Sequence, residues 1–300
     1  MVGKAEIGRA AAVLAGAVAL ILATAGADDS HAAARPTCFG DPATTVGTDG
    51  NDVINGTSGD DVIVGLGGDD VINGLDGDDE ICGGDGNDVL LGGDGFFDAL
   101  SGDAGDDVID GGSAFETFAV YGDAPGPVNV DLAAGKATGW GNDTLTRIDV
   151  VVGSAFDDTL TGDSQPNALI GLGGNDTLNG GGGYDELTGD AGNDTIDGGA
   201  GEDLVYYDYA PNGVHVNLST GTASGWGTDR LVGVEDLHGS RFADVLIGDA
   251  HRNWIEGHGG NDRVFGGAGR DTLLGQTGRD FADGGPARDR CSAEKERHCP

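Results

Sequence analysis

Large aliphatic residues return along this chain at intervals of nine. Ile54, Ile63, Ile72, Ile81 and Leu90 open the series, and Leu100 and Ile109 continue it after one extra residue at the Phe96-Phe97 step. Leu160, Leu169, Leu178, Leu187, Ile196 and Val205 keep the same spacing, as do Leu246, Ile255, Val264 and Leu273, before it fades at Ala282. The residues beside each aliphatic are often Val or Thr, which suit extended backbone. Between these triplets lie six polar, glycine-rich residues. The pattern predicts three-residue strands joined by six-residue turns, a unit too small to bury its own apolar side chain. Each aliphatic must stack on the next copy, and full burial is worth about 1.5–3 kcal/mol per side chain. Two nine-residue units make one 18-residue coil. Glycine at this density costs about 1 kcal/mol per helical position, so beyond the N-terminal segment no helix longer than a turn or two is expected.

The repeats fall into three blocks, 47–116, 153–205 and 239–285, with a lead-in over 28–46 and a cysteine-bearing tail over 286–300. The linkers, 117–152 and 206–238, are copies of each other. Val128-Asn129-Val130-Asp131-Leu132 matches Val214-His215-Val216-Asn217-Leu218, and Gly139-Trp140-Gly141 matches Gly225-Trp226-Gly227. A larger unit of linker plus repeat block has therefore been duplicated. Trp140 and Trp226, with Tyr206, Tyr207 and Tyr209, are expected to cap the apolar core where the repeat breaks, stacking of the tryptophans on sugar rings being the alternative.

The first residues read differently. Lys4 and Arg9 precede an apolar run from Ala10 to Leu22, and Ala25-Gly26-Ala27 is a small-x-small cleavage pattern. This is the composition of a signal peptide over 1–27, and the run is shorter than the roughly 20 residues of a spanning helix. The expectation is an extracellular protein with no transmembrane segment after cleavage. Cys38, Cys82, Cys291 and Cys299 permit three disulfide connectivities. Pairing Cys38 with Cys82 and Cys291 with Cys299 is expected, in keeping with an oxidising compartment.

The formal net charge is -37, and no Lys or Arg occurs between Arg35 and Lys136. Such a surface excludes nucleic acid as a partner, since phosphate binding needs clustered cations. An acidic chain with few aromatics would read as disordered. The strict placement of aliphatics argues for a fold once something neutralises the charge.

The repeat supplies the means. Its consensus is Gly-Gly-x-Gly-x-Asp followed by any residue, an aliphatic and any residue, as in Gly171-Leu172-Gly173-Gly174-Asn175-Asp176-Thr177-Leu178-Asn179. The acid recurs at Asp52, Asp61, Asp70, Asp79, Asp88, Asp98 and Asp107, then at Asp158, Asp176, Asp185, Asp194 and Asp203, then at Asp244, Asp262, Asp271 and Asp280. Asn167 and Asn253 fill the two gaps, and Glu116 holds the acid's place at a block end. In an 18-residue coil Asp52 and Asp70 share one edge, and Asp61 and Asp79 the other. Carboxylates and glycine carbonyls are hard oxygen ligands, which select Ca²⁺. A cation between successive turns would bridge coils about 4.8 Å apart. No Cys-x-x-Cys or Cys/His zinc spacing occurs, and His215, His238, His251, His258 and His298 are scattered, which argues against a zinc site. Neither a His-Glu-x-x-His pattern nor a Gly-x-Ser-x-Gly elbow is found, so no catalytic residue is assigned.

Residues 47–285 resemble the RTX, or hemolysin-type, calcium-binding nonapeptide-repeat family. The resemblance implies an all-β fold, a right-handed parallel β-roll, with Ca²⁺ held by aspartates and glycine carbonyls of adjacent turns. By that likeness the metal ligands are Asp52, Asp61, Asp70, Asp79, Asp88, Asp98, Asp107, Asp158, Asp176, Asp185, Asp194, Asp203, Asp262 and Asp271. In the third block Arg263, Arg270 and Arg279 sit beside the acids and offer ion pairs in place of a cation. The resulting expectation is a secreted, non-enzymatic protein whose roll folds on binding Ca²⁺. The alternatives are a surface adhesin or matrix component with a cell-surface or glycan partner, and a polysaccharide-modifying enzyme or accessory module.

Overall fold

The computed structural model describes residues 35–299; the segment read as a signal peptide lies outside them. Every regular element among the described residues is a strand, most of them three residues long, and in many of these only the middle side chain is buried. The chain forms two units, one ending at Thr117 and one beginning at Phe118.

In the first unit successive nine-residue repeats go alternately to two parallel ladders. Val53–Asn55, Val71–Asp76, Val89–Asp94 and Val108–Gly112 build one, with Ile54, Ile72, Leu90 and Ile109 in register. Thr45–Val46, Val62–Gly67, Glu80–Asp85 and Phe97–Ala104 build the other, with Ile63, Ile81 and Leu100 in register. Residues 18 apart are thus neighbours, and the stacked aliphatics are the core. The extra residue at Phe96-Phe97 is taken up in the turn. Both phenylalanine N–H groups donate to Asp78 Oδ1, at 2.7 and 3.2 Å, and the ladders resume in register. The Cys38–Cys82 disulfide forms, with a Cα–Cα distance of 5.7 Å, and packs with Ala43 and Val64 at the start of the unit.

In the second unit one ladder runs uninterrupted. Val150–Val152, Ala168–Ile170, Glu186–Thr188, Leu204–Tyr206, Asp236–His238, Trp254–Glu256, Thr272–Leu274 and Arg290–Ser292 stack in parallel. The other ladder departs from strict parallel pairing. After Thr195–Asp197 comes Thr228–Val232, which pairs back antiparallel through Thr222–Ser224 to His215–Asn217, from which Val245–Ile247 resumes in parallel. The linker sequence is therefore part of the roll. Its alternation buries Val216, Ala223 and Leu231 while their neighbours face outward, and antiparallel strands need only a tight turn between them. The earlier linker repeats the hairpin over Asn129–Asp131, Lys136–Thr138 and Asn142–Thr146.

The tryptophans expected as core caps lie half-buried at these hairpins. Tyr121 and Tyr207 are buried there, and their hydroxyls donate to Asp143 Oδ2 and Asp229 Oδ2, each at 2.9 Å. Tyr206 is buried and Tyr209 exposed. At the end of the unit Cys291 pairs with Cys299, and Lys295–Arg297 adds a last rung.

Candidate metal centre

The recurring aspartates lie at the start of the strands, and all but half-buried Asp52 are buried although charged. In most of them the first carboxylate oxygen has the same role. Oδ1 of Asp70, Asp79, Asp88, Asp98 and Asp107 accepts the backbone N–H of the acid one coil earlier. The same holds for Asp176, Asp185, Asp194, Asp203, Asp262 and Asp271, the earlier residue being Asn167 or Asn253 at two of them, and the distances span 2.7–3.0 Å. The column thus ties each coil to the next and gives every one of these backbone donors a partner.

The second oxygen divides the set. At Asp52, Asp61 and Asp158 Oδ2 accepts the N–H of the residue four earlier, from Thr48, Thr57 and Ser154, at 2.5–2.6 Å. Asp244 does the same with Ser240. Asn167 and Asn253 use their side-chain oxygen for that N–H, from Asp163 and Asp249. At Asp70, Asp79, Asp88, Asp98, Asp176, Asp185, Asp194, Asp203, Asp262 and Asp271 Oδ2 is buried with no hydrogen-bond partner. The difference arises one turn position away. Where the carboxylate is closed, position two of the repeat has ordinary negative φ. Where it is left open, that residue is left-handed: Leu66 at φ 81°, Leu172 at 72°, Asp190 at 59°, or a glycine such as Gly84 at 109°. A left-handed residue turns its N–H away from the carboxylate, leaving the oxygen orphaned.

A second oxygen lies close to several of the orphans. A Cβ on Gly180, the first glycine of its repeat, would lie 2.5 Å from Asp185 Oδ2 and 2.6 Å from the Gly198 carbonyl oxygen of the next coil. Only glycine permits this approach. The same pair of groups crowds Gly65, Gly74, Gly171 and Gly266. The donor set is oxygen alone, partly charged, and without a hydrogen to share. An orphaned buried carboxylate oxygen costs several kcal/mol in order of magnitude unless something compensates it, and a hard divalent cation fits that chemistry.

The electrostatics agree. Burial pushes the carboxyl groups of Asp79, Asp88, Asp98, Asp194, Asp203 and Asp271 up to about 6, and those of Asp176 and Asp262 up to about 7, with neighbouring acids adding to the rise and the backbone N–H opposing it. The arginines do not supply the missing charge. None of the ion pairs among the described residues involves Arg263, Arg270 or Arg279, and Arg263 lies over the Phe265 ring instead.

The column holds acids beyond the ligands that the family likeness gives. Asp280 and Asp289 carry the same buried, orphaned Oδ2, and Asp289 extends the column into the tail. The signal at Asp289 is Gly284-Gly285-Pro286-Ala287-Arg288-Asp289, with alanine at the third glycine. Asp229 takes the place of a coil acid in the hairpin, accepting the Asp194 N–H at 3.2 Å, and Gly225-Trp226-Gly227-Thr228-Asp229 is a truncated copy of the motif. The residue just before the acid forms a column of opposite sense. Asn51 Oδ1 accepts the Asp69 N–H and Asp69 Oδ1 accepts that of Asn87, each at 3.0 Å.

The histidines, scattered along the sequence, are not all scattered in space. His238, His258 and Asp208 present three ligand atoms within 4.8 Å of one another. Burial, with His258 nearby, pulls His238 down to about 3, so its ring is neutral.

Comparison with protein families returns the RTX calcium-binding nonapeptide repeat (4 copies). It matches residues 46–81, 67–96, 83–114, 146–165, 170–205, 224–264, 238–273 and 265–294. No curated protein matches the chain. With the repeat matched over most of its length and the stacked coils in place, the chain belongs to the RTX calcium-binding nonapeptide-repeat family.

Proposed function

We propose that this protein is an exported, non-catalytic calcium-binding module whose roll becomes compact when Ca²⁺ neutralises its turns. The observation that carries this reading is the row of buried Oδ2 atoms without partners, from Asp70 to Asp98 in the first unit and from Asp176 to Asp271 in the second. These aspartates, with carbonyls of the glycine turns, would hold the ion. When bound, it supplies the positive charge that lets stacked carboxylates remain ionised. Because the site exists only when coils stack, binding energy is folding energy. Extracellular calcium modules bind at about 10⁻⁴–10⁻³ M, which suits a chain that stays unfolded until it reaches calcium-rich surroundings. The signal-like N-terminus and the two disulfides support export.

Far-UV circular dichroism in EDTA and in millimolar CaCl₂ tests the proposal. A coil spectrum in chelator and a β spectrum with calcium are expected. Identical spectra in the two buffers would refute it.

A further inference from the structure

The chain's internal duplication provides its own control. Residues 86 apart occupy equivalent places, and Tyr121-Gly122-Asp123-Ala124-Pro125 corresponds to Tyr207-Asp208-Tyr209-Ala210-Pro211. In this register Gly122, Val152 and Leu172 of the first copy become Asp208, His238 and His258 of the second. The backbone is retained: Leu172 and His258 are both left-handed, at φ 72° and 61°. The roll therefore builds these three places without polar side chains, and the second copy installs two imidazoles and a carboxylate there together.

They converge because of the uninterrupted ladder. Tyr206 is in register with His238, and His238 with Glu256. Asp208 lies two residues beyond Tyr206, and His258 two beyond Glu256. Three consecutive coils thus contribute one ligand each, held by the Tyr207 N–H to His238 carbonyl bond at 3.0 Å and the Gly239 N–H to Glu256 carbonyl bond at 2.8 Å. His258 Nε2 and Asp208 Oδ1 are 3.3 Å apart, and the two imidazole centroids 4.8 Å apart. His238 Nδ1, His258 Nε2 and Asp208 Oδ1 are all buried without a hydrogen bond. An isolated His-Asp pair would leave His238 Nδ1 unsatisfied.

We propose that Asp208, His238 and His258 form a binding site for a single divalent metal of the zinc class, distinct from the oxygen-only turns. Two imidazole nitrogens with one carboxylate oxygen form a set that suits zinc, whereas calcium takes oxygen ligands. Three protein ligands leave a fourth position for water.

The test is Zn²⁺ and Co²⁺ titration of the full chain, run in millimolar CaCl₂ and repeated without it. The first copy supplies the variants, since His238→Val and His258→Leu restore residues that the same backbone already carries. His258→Gln is a third, because Gln276 adopts φ 63° at the same repeat position. One tightly held Zn²⁺ per chain is expected, with a visible ligand-field spectrum when Co²⁺ replaces it. Each variant should lose at least about tenfold in zinc affinity while its calcium-dependent circular dichroism stays unchanged. Absence of a stoichiometric zinc, or equal zinc affinity in wild type and His258→Gln, would overturn the proposal and leave a plain His-Asp contact. Failure of the calcium proposal would show in the dichroism alone, so the two results are separable.

Discussion

At the scale of the residue, one backbone angle sorts chemically identical aspartates. Asp158 and Asp176 occupy the same repeat position, and both are buried. Ser154 closes the second oxygen of Asp158, whereas left-handed Leu172 leaves that of Asp176 open. Asp176→Asn keeps the Oδ1 acceptor and removes the charge. It is expected to raise the calcium midpoint of folding about tenfold, which is about 1.4 kcal/mol. Asp158→Asn should move it by no more than about twofold, and equal shifts in the two titrations would contradict the division. Gly180→Ala drives a methyl against Asp185 Oδ2 and the Gly198 carbonyl. A loss of about 1–3 kcal/mol is expected in thermal melts of the calcium-loaded protein.

At the scale of the element, the hairpins show how a roll accepts an insertion. An antiparallel excursion adds strands to one ladder while the opposite ladder passes by unbroken. The buried Tyr207 hydroxyl holds Asp229 where a repeat acid would stand. Tyr207→Phe leaves that carboxylate oxygen buried without its donor, so a loss of about 1–3 kcal/mol is expected, read as a lower melting temperature. At the other end of the chain, the Cys38–Cys82 disulfide spans 44 residues of the first unit. Its reduction should destabilise that unit by about 2–4 kcal/mol. A calorimetric scan with and without reductant checks this, and unchanged melting would show that the pairing contributes nothing.

At the scale of the whole molecule, charge decides whether the coils can stack. Burial pushes the carboxyl of Asp79 up to about 6 in the folded roll, and those of Asp176 and Asp262 up to about 7, against the ordinary 3.8. Between these values the folded chain binds more protons than the unfolded one, so its stability falls as pH rises. In EDTA the compact form should therefore be favoured near pH 4 and be lost as pH rises through about 6–7. Dichroism across that range checks the sign, and a β signal that grows with pH in chelator would contradict it. Calcium should remove the dependence at neutral pH, because cations then replace protons in the turns.

The sequence by itself determined the period, the ladders and the identity of the core, because a nine-residue unit with one aliphatic has no other way to bury it. It also placed the acids on two edges and indicated both disulfide pairings. Three things needed the tertiary structure. Which carboxylates keep a free oxygen depends on φ at a neighbouring residue, and Leu66 and Thr48 do not announce that angle in the motif. The linkers read as interruptions because their strands pair antiparallel, so the nine-residue count fails although Asp229 still serves the column. The convergence of His238, His258 and Asp208 was hidden because coils of unequal length, set by the hairpin, bring residues 20 and 30 positions apart to one place. Periodicity fixes what lies one coil away; only the stacked chain fixes what meets where the period breaks.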